Sequence, residues 1–320
     1  MRLLKRLLLT IAAIIIILFI WGKIYSIETP LVQRAIAADT TRISTDLRFL
    51  TKECVFRNYR HMNELNKAAG YIKNEFIKIT GNADSQLYHV NDFEFKNVLC
   101  TIGPKDAKRI VIGAHYDVCS DQEGADDNAS GVAGMLELLR LLKKEQLKYR
   151  IDFVAYSTEE PPFFGTQNMG SYIHAKSLHD AGTKVKGMIS LEMIGVYYDE
   201  PGTQHYPAFF LDWFYGNKGN FITVVQKFSN GEFGDYIRKR MKEEPVIPTK
   251  SFTGPAWIPG VDFSDHKNYW KFGYSALMIT NTAFYRNKNY HTADDTYEKI
   301  DVNKMAMVVD ELFHTLKDIQ

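Results

Sequence analysis

The sequence predicts an α/β protein with a twisted, mostly parallel central sheet and helices on both faces. Short apolar runs alternate with longer helical patterns, which is typical of parallel sheets. The runs that carry this prediction are residues 109–114, 151–156 and 186–191. A histidine or acidic residues follow each run, at the strand ends where open α/β sheets place their ligand crevice.

Length and composition limit the function classes. At 320 residues, with 45% hydrophobic and 13% aromatic content, the chain can fill a sizeable core. Its net charge is +1, from 39 basic and 38 acidic residues, so we expect no nucleic-acid partner. Three cysteines are too few for a disulfide framework. Metal ligation is one interpretation of Cys119, and a packed small thiol is the favoured one.

The N-terminus indicates a membrane-targeting element. An uncharged run over residues 7–22 follows three basic residues: Arg2, Lys5 and Arg6. The run reaches about 24 Å as a helix, which fits a signal peptide or a short anchor. No small-residue cleavage site follows directly, so we favour an uncleaved anchor over residues 1–23, a stalk over 24–40 and one domain over 41–320. The basic flank predicts an extracytoplasmic domain, periplasmic or extracellular.

The expected elements follow in chain order. An amphipathic pattern predicts a helix over residues 60–79 that ends before Gly81, and alternation over 86–95 and 97–102 predicts two strands joined by a tight turn. The run at 109–114 is nearly all apolar, as a strand buried on both faces should be. The later expected elements are a helix after Asn128 or Ser130, a strand over 151–156, a helix over 168–177, strands over 186–191 and 221–225, helices over 232–242 and 264–272, a strand over 275–280 and a closing helix over 302–317.

Two polar stretches flank the first parallel strand and the helix after it. His115 and Asp117 lie at i and i+2, so the carboxylate can orient the imidazole or act as a ligand itself. A hydrogen-bonded surface histidine is the alternative. Asp126, Asp127 and Asn128 precede a helix, and a helix cap needs only one such side chain.

Further candidates follow later strands. Glu159 and Glu160 end one strand ahead of two prolines, and adjacent carboxylates repel unless a cation or a shared proton relieves them. Glu192 directly follows an apolar run, and His291 lies in a polar loop after the last strand. Five other histidines lack such a setting and are not expected to be ligands: His61, His89, His174, His179 and His205.

The candidate ligands are two histidines and three carboxylates: His115, Asp127, Glu160, Glu192 and His291. If one carboxylate is shared between two metals, each ion keeps two further ligands. A mixed nitrogen and oxygen set of this kind suits catalytic zinc rather than magnesium or calcium.

Six ordered blocks resemble the co-catalytic di-zinc exopeptidases, which include bacterial secreted aminopeptidases, glutamate carboxypeptidase and glutaminyl cyclases. The blocks are VIGAHYD, GADDNASGVAG, STEEPPFFGT, SLEMIG, FSDH and YHTADDT. The resemblance implies one zinc on His115 and Glu192 and another on Glu160 and His291, with Asp127 bridging them. It also implies Glu159 as general base and Asp117 as the partner of His115. Many members carry aspartate at the position of Glu192, and some carry glutamate.

The resemblance implies an aminopeptidase that acts on peptides with a free terminus and binds two Zn²⁺ ions. An aromatic segment over residues 197–215 is a candidate wall of the side-chain pocket. Asp265 and His266 are candidate contacts with the ligands or the substrate, and helix capping by Ser264 or Asp265 is the alternative. One alternative is a single-zinc acyltransferase like the glutaminyl cyclases, with zinc on Asp127, Glu160 and His291. The other is an inactive binding ectodomain.

Overall fold

An eight-stranded sheet organises residues 29–319, the part of the chain that the computed structural model describes. The strands are β1 (Asp84–Val90), β2 (Phe93–Ile102), β3 (Arg109–His115), β4 (Arg150–Tyr156), β5 (Val185–Glu192), β6 (Ile222–Lys227), β7 (Thr249–Gly254) and β8 (Ala276–Thr280). Their spatial order is β1-β2-β4-β3-β5-β8-β6-β7. The central strands β4, β3, β5 and β8 run parallel, β1 and β2 are antiparallel additions, and β6 runs antiparallel to β8. The predicted α/β class is confirmed.

Helices cover both faces of the sheet, as predicted. They are α1 (Thr40–Arg48), α2 (Met62–Thr80), α3 (Gly131–Leu142), α4 (Gly170–Asp180), α5 (Asp212–Tyr215), α6 (Glu232–Glu243), α7 (His266–Lys271) and α8 (Val302–Lys317). Alternate side chains of β3 enter two different cores. Ile112 packs in the core that contains α3 and α8, whereas Val111 packs in the core that contains α4 and α7. A strand buried on both faces is therefore apolar throughout.

Two expectations about the strands were wrong. The hairpin turn lies at Asn91 and Asp92, between β1 and β2, and not near residue 96. Asn91 has φ 52°, a left-handed conformation that asparagine tolerates better than most residues. Strand β7 was not predicted because its polar, partly exposed sequence has no apolar alternation, and only its pairing with β6 makes it a strand.

The N-terminal part of the described chain lies against the domain. The backbone amide of Val32 donates to the carbonyl of Pro245 at 2.8 Å, and Arg34 forms an ion pair with Asp310 at 2.8 Å. Residues 32–37, within the expected stalk, are therefore attached to the domain. The predicted anchor over residues 1–23 lies outside the described residues. Within residues 29–319, no helix has the length and apolar character needed to cross a membrane.

Candidate metal centre and active site

The five candidate ligands meet at one edge of the sheet. His115 and Glu192 end β3 and β5, Glu160 follows β4, and His291 follows β8. Asp127 lies in the turn between β3 and α3. Parallel strands bring their carboxyl ends to the same edge, which is why residues far apart in sequence converge here.

Asp127 faces both histidines with different oxygens. Its Oδ1 lies 3.3 Å from Nε2 of His115, and its Oδ2 lies 3.2 Å from Nε2 of His291. Each histidine also faces a second carboxylate: Glu192 Oε2 is 3.4 Å from His115, and Glu160 Oε2 is 3.2 Å from His291. Asp127 therefore lies between two histidine–carboxylate pairs, His115 with Glu192 and His291 with Glu160, which we call half-sites.

The electrostatics of these groups fit a divalent cation. Burial raises the pKa of Glu160 to about 8 and also raises the pKa values of Glu159 and Glu192 above their ordinary range. Burial opposes ionisation of Asp127, but its close contacts with the two histidines lower its pKa. Oε1 of Glu160 is buried without a hydrogen-bond partner. A bound cation would favour the ionised carboxylates and occupy that oxygen, and the mixed donor set suits zinc.

Asp117 fixes the strand end that carries the two glutamates. Its carboxylate accepts hydrogen bonds from the backbone amides of Glu159 at 3.2 Å and Glu160 at 3.1 Å. Nδ1 of His115 lies 3.2 Å from the Asp117 carbonyl oxygen and 3.5 Å from its Oδ1. Asp117 therefore contacts His115 from one half-site, Glu160 from the other, and Glu159.

The side chains of Asp126 and Asp127 have different partners in the structure. The carboxylate of Asp126 accepts hydrogen bonds from the amide of Gly195 at 2.8 Å and from the side chains of Asn281 at 2.8 Å and Asn287 at 3.0 Å. These donors hold it away from the histidines. Asp126 anchors the turn, and Asp127 faces the half-sites.

Asp295, to which the sequence analysis assigned no role, also holds the turn that contains Asp126 and Asp127. The carboxylate of Asp295 accepts hydrogen bonds from the amides of Asp126 at 3.1 Å and Asp127 at 3.0 Å. The TADDT block contains Asp295, but nothing in the block distinguishes it from exposed Asp294. The sequence analysis also missed Asn281 and Asn287, because each contacts Asp126, a partner distant in sequence.

The FSDH block supports the other half-site. Ser264 Oγ donates to Glu192 Oε2 at 2.7 Å. Asp265 occupies the N-cap position of α7 without making a side-chain cap, so the capping interpretation was wrong. Its carboxylate is fully buried, and burial raises its pKa to about 7. His266 contacts the carbonyl of Val261 at 2.8 Å, beneath the site.

Cys119 is only partly buried and lies beside two of the candidate ligands. Its sulfur, a carboxylate oxygen of Glu160 and a ring nitrogen of His291 all lie within 4.8 Å of one another. Cys54 and Cys100 are fully buried in the hydrophobic core, as the sequence interpretation expects of packed thiols.

A cavity of about 330 Å³ opens beside the carboxylates. Its walls are mostly apolar and come from strands β6, β7 and β8 and from the aromatic segment over residues 197–215. The wall residues include Tyr206, Leu211, Tyr215, Val225, Phe252 and Met278. His205 also lies in this wall, which the sequence did not indicate.

The fold and the site define a class: α/β proteins with a buried cluster of histidines and carboxylates, a candidate metal site, at the carboxyl ends of the central strands. Within that class, the chain belongs to peptidase family M28, whose model matches residues 97–316. Membership of this family, together with the aminopeptidase relatives, identifies the chain as a peptidase-type hydrolase.

Two curated relatives cover most of the chain. The uncharacterized protein YfbL of Escherichia coli is 42% identical over 281 residues, which is 85% of this chain and 86% of YfbL. A probable leucine aminopeptidase of Trichophyton verrucosum is 24% identical over 296 residues, covering 84% of this chain and 73% of that protein.

Solved structures show the same fold. LapB from Legionella pneumophila has a TM-score of 0.68 at 20% identity, covering 87% of this chain and 71% of LapB. A glutaminyl cyclase of Bacteroides thetaiotaomicron has a TM-score of 0.67 at 16% identity, covering 91% of this chain and all of that one. At these identities, the similarity supports the fold and does not separate the two activities.

Proposed function

We propose that this protein is a zinc aminopeptidase that binds two zinc ions and removes apolar N-terminal residues from peptides. The observation that carries the proposal is the position of Asp127 between His115 and His291, with one carboxylate oxygen toward each. A single-ion site would need only one of these contacts. The second carboxylate beside each histidine completes two equivalent half-sites.

The protein side chains have distinct roles in this proposal. His115 and Glu192 would hold one ion, Glu160 and His291 the other, and Asp127 both. Bound zinc would supply Lewis-acid polarisation of the substrate carbonyl and acidify water. Glu159, whose Oε2 lies 3.8 Å from His115 Nε2, would take a proton from the attacking water and return it to the leaving amine. Burial raises the pKa of Glu159 above its ordinary range, the direction that helps a carboxyl group to hold a proton and return it.

The residues that line the cavity offer little to a substrate carboxylate, which favours a substrate amino terminus. Four lining residues are carboxylic acids: Asp127, Glu159, Glu160 and Glu192. A substrate carboxylate would need a cationic partner, and no arginine is found among the described residues that line the cavity. Lys250 is the lysine there, and its ammonium group lies 4.1 Å from the Phe221 ring centroid and donates to the Tyr215 carbonyl.

The cavity walls favour a large apolar side chain. Aromatic and aliphatic residues surround a space of about 330 Å³, at the low end of ordinary ligand pockets. Burying an apolar side chain there gains about 25 cal/mol per Å² of apolar surface removed from water. We therefore expect leucine- and phenylalanine-like termini to be preferred over small or charged ones.

The alternative is a single-zinc acyltransferase that uses Asp127, Glu160 and His291. It leaves His115 and Glu192 without a function, although His115 lies 3.3 Å from Asp127 and 3.4 Å from Glu192, close to the 3.2 Å contacts that His291 makes. The geometry therefore favours the two-ion peptidase over this alternative.

One experiment distinguishes the two-zinc aminopeptidase from the single-zinc acyltransferase. The full-length protein, purified in detergent and loaded with zinc, is analysed for metal content and incubated with leucine amide, leucyl peptides, their N-acetylated forms and a peptide with N-terminal glutamine. We expect about two zinc ions per chain and hydrolysis of the free-amine substrates only. One zinc ion with cyclisation of the glutamine peptide and no hydrolysis would support the acyltransferase instead. Hydrolysis of the acetylated peptides at equal rates would rule out an aminopeptidase.

We also propose that residues 1–23 anchor the protein with its catalytic domain outside the cytoplasm. The basic residues ahead of the apolar run support this orientation. Protease added to intact bacterial spheroplasts should digest the domain. Protection of the domain in intact spheroplasts, with digestion only after lysis, would place it inside.

A further inference from the structure

We propose that the thiolate of Cys119 is a ligand of the metal ion held by Glu160 and His291. The inference rests on the proposed metal centre and adds a donor to one half of it. The two half-sites would then differ in chemistry: nitrogen and oxygen around His115, and nitrogen, oxygen and sulfur around His291.

The distances allow the thiolate to reach the ion. The sulfur, a carboxylate oxygen of Glu160 and a ring nitrogen of His291 lie within 4.8 Å of one another. Two zinc–ligand bonds of about 2.0–2.3 Å each nearly span that separation. A bound cation would supply the attraction that holds the three donor atoms together.

A second observation points to a missing ligand at the same place. Glu160 is 3% exposed, and its Oε1 is buried without a hydrogen-bond partner. A buried, unpartnered carboxylate oxygen is costly unless a cation or donor reaches it. This oxygen belongs to the residue that faces both the sulfur and His291.

The backbone on both sides of Cys119 is fixed. The amide of Val118 donates to the Arg57 carbonyl at 3.1 Å, and the side chain of Asn58 donates to the Ser120 carbonyl. Arg57 is itself fully buried, and its guanidinium donates to the carbonyl of Tyr116 at 2.8 Å. The cysteine is therefore presented to the site by a rigid loop, as a preorganised ligand should be.

The thiolate would make the two half-sites unequal. Soft sulfur donors favour zinc and cobalt over magnesium, calcium and manganese, which prefer oxygen. We expect the half-site with Cys119 to hold its ion more tightly than the half-site with His115. Cys119 would also be exposed to alkylating reagents only when that ion is absent, because the bound thiolate is no longer a free nucleophile.

Cobalt gives a direct measurement of the bond. Metal-free full-length protein is titrated with Co²⁺ and followed in the near ultraviolet, where a sulfur-to-cobalt charge-transfer band reports thiolate ligation independently of activity. We expect the wild type to develop the band and Cys119→Ser to lack it. We also expect Cys119→Ser to bind one cobalt equivalent at least about tenfold more weakly, because loss of a ligand should cost no less than loss of a group that orients one.

Cys100→Ala is the matched control, because Cys100 is buried in the core and lies outside the metal-ligand groups. The control should keep the band. A wild type that binds two cobalt equivalents without the band, or a band that survives in Cys119→Ser, overturns this inference while leaving the peptidase proposal intact. A wild type that binds no cobalt and has no peptidase activity overturns both.

Discussion

The carboxylate of Asp117 accepts a hydrogen bond from the backbone amide of Glu160 at 3.1 Å. The same carboxylate accepts a hydrogen bond from the backbone amide of Glu159 at 3.2 Å, and its Oδ1 lies 3.5 Å from Nδ1 of His115. One side chain thereby fixes a ligand in each half-site and the proposed base between them. We therefore expect Asp117 to act as a positioning residue for the whole centre, beyond the pairing with His115 that the sequence resemblance implies.

Asp117→Asn should weaken this arrangement. An amide has one acceptor oxygen, so one of the two backbone amides loses its partner and faces another N–H group. We expect activity or zinc affinity to fall about 10–100-fold, the usual effect of losing the group that orients metal ligands. The measurements are kcat/KM for leucine amide and a zinc competition titration.

Asp121→Asn is the control for Asp117→Asn. Asp121 is exposed on the same loop and contacts His61 at 3.0 Å. Equal loss of activity in the two variants would show that the effect comes from the loop and not from the Asp117 carboxylate.

Glu159→Gln should stop proton transfer without disturbing the metal centre. Removal of a positioned acid–base group costs about 10²–10⁴ in rate. We expect kcat to fall by that amount while zinc content and melting temperature stay at wild-type values. Glu160→Gln, one residue later, should instead lose zinc. Unchanged turnover in Glu159→Gln would remove Glu159 from the mechanism.

Asp126→Asn and Asp127→Asn should fail in different ways. The Asp126 carboxylate accepts bonds from Gly195 and Asn281, and an amide nitrogen in its place would face those donors. Each unsatisfied buried group costs about 1–3 kcal/mol of unfolding free energy. Asp127→Asn should instead reduce bound zinc.

Calorimetry at fixed zinc concentration and metal analysis separate these two effects. The assignment of Asp127 as the shared ligand would be wrong if Asp127→Asn kept two zinc ions while Asp126→Asn lost them.

Val225→Phe should narrow the proposed side-chain pocket. Val225 lines the cavity and is 7% exposed, so a larger side chain occupies space that the substrate needs. A difference of one methylene in such a pocket is worth about 10–200-fold in kcat/KM. We expect leucine and phenylalanine substrates to lose at least tenfold, at the low end of that range, while alanine substrates keep their wild-type values. An equal loss on all three would place the pocket elsewhere.

The sequence predicts which side chains converge at the site because most of them follow a simple rule. His115, Glu160 and Glu192 each come at the end of an apolar run, and a parallel sheet gathers those ends at one edge. Periodicity also predicts α8 over residues 302–317, the bounds that the structure shows.

What the sequence does not predict depends on partners distant along the chain. Asp126 and Asp127 are neighbours in one turn, and only the hydrogen bonds from Asn281 and Asn287 show which carboxylate is already engaged. Cys119 was assigned to packing because its proximity to Glu160 and His291 arises from the meeting of three loops. The periodicity of a sequence indicates local structure and carries no information about contacts between loops that are distant along the chain.

Glu311 should make the stability of the protein depend on pH. It lies on α8, is 2% exposed, and contacts Thr249 Oγ1 at 2.7 Å and the Val246 amide at 3.2 Å. Burial raises its pKa from an ordinary 4.5 to about 8. Between these two values the folded protein keeps a proton that the unfolded chain releases. Stability therefore falls as pH rises through this window and levels off above about pH 8.

Glu311→Gln should remove that dependence, because glutamine stays neutral, keeps an oxygen for the Val246 amide and can donate to Thr249 Oγ1. We expect the melting temperature of the variant, relative to wild type, to increase steadily between about pH 5 and pH 8 at constant zinc. Glu145→Gln, an exposed residue after α3, is the control and should follow the wild-type curve. Parallel curves for Glu311→Gln and wild type would mean that the carboxyl group is already ionised in the folded protein at pH 5.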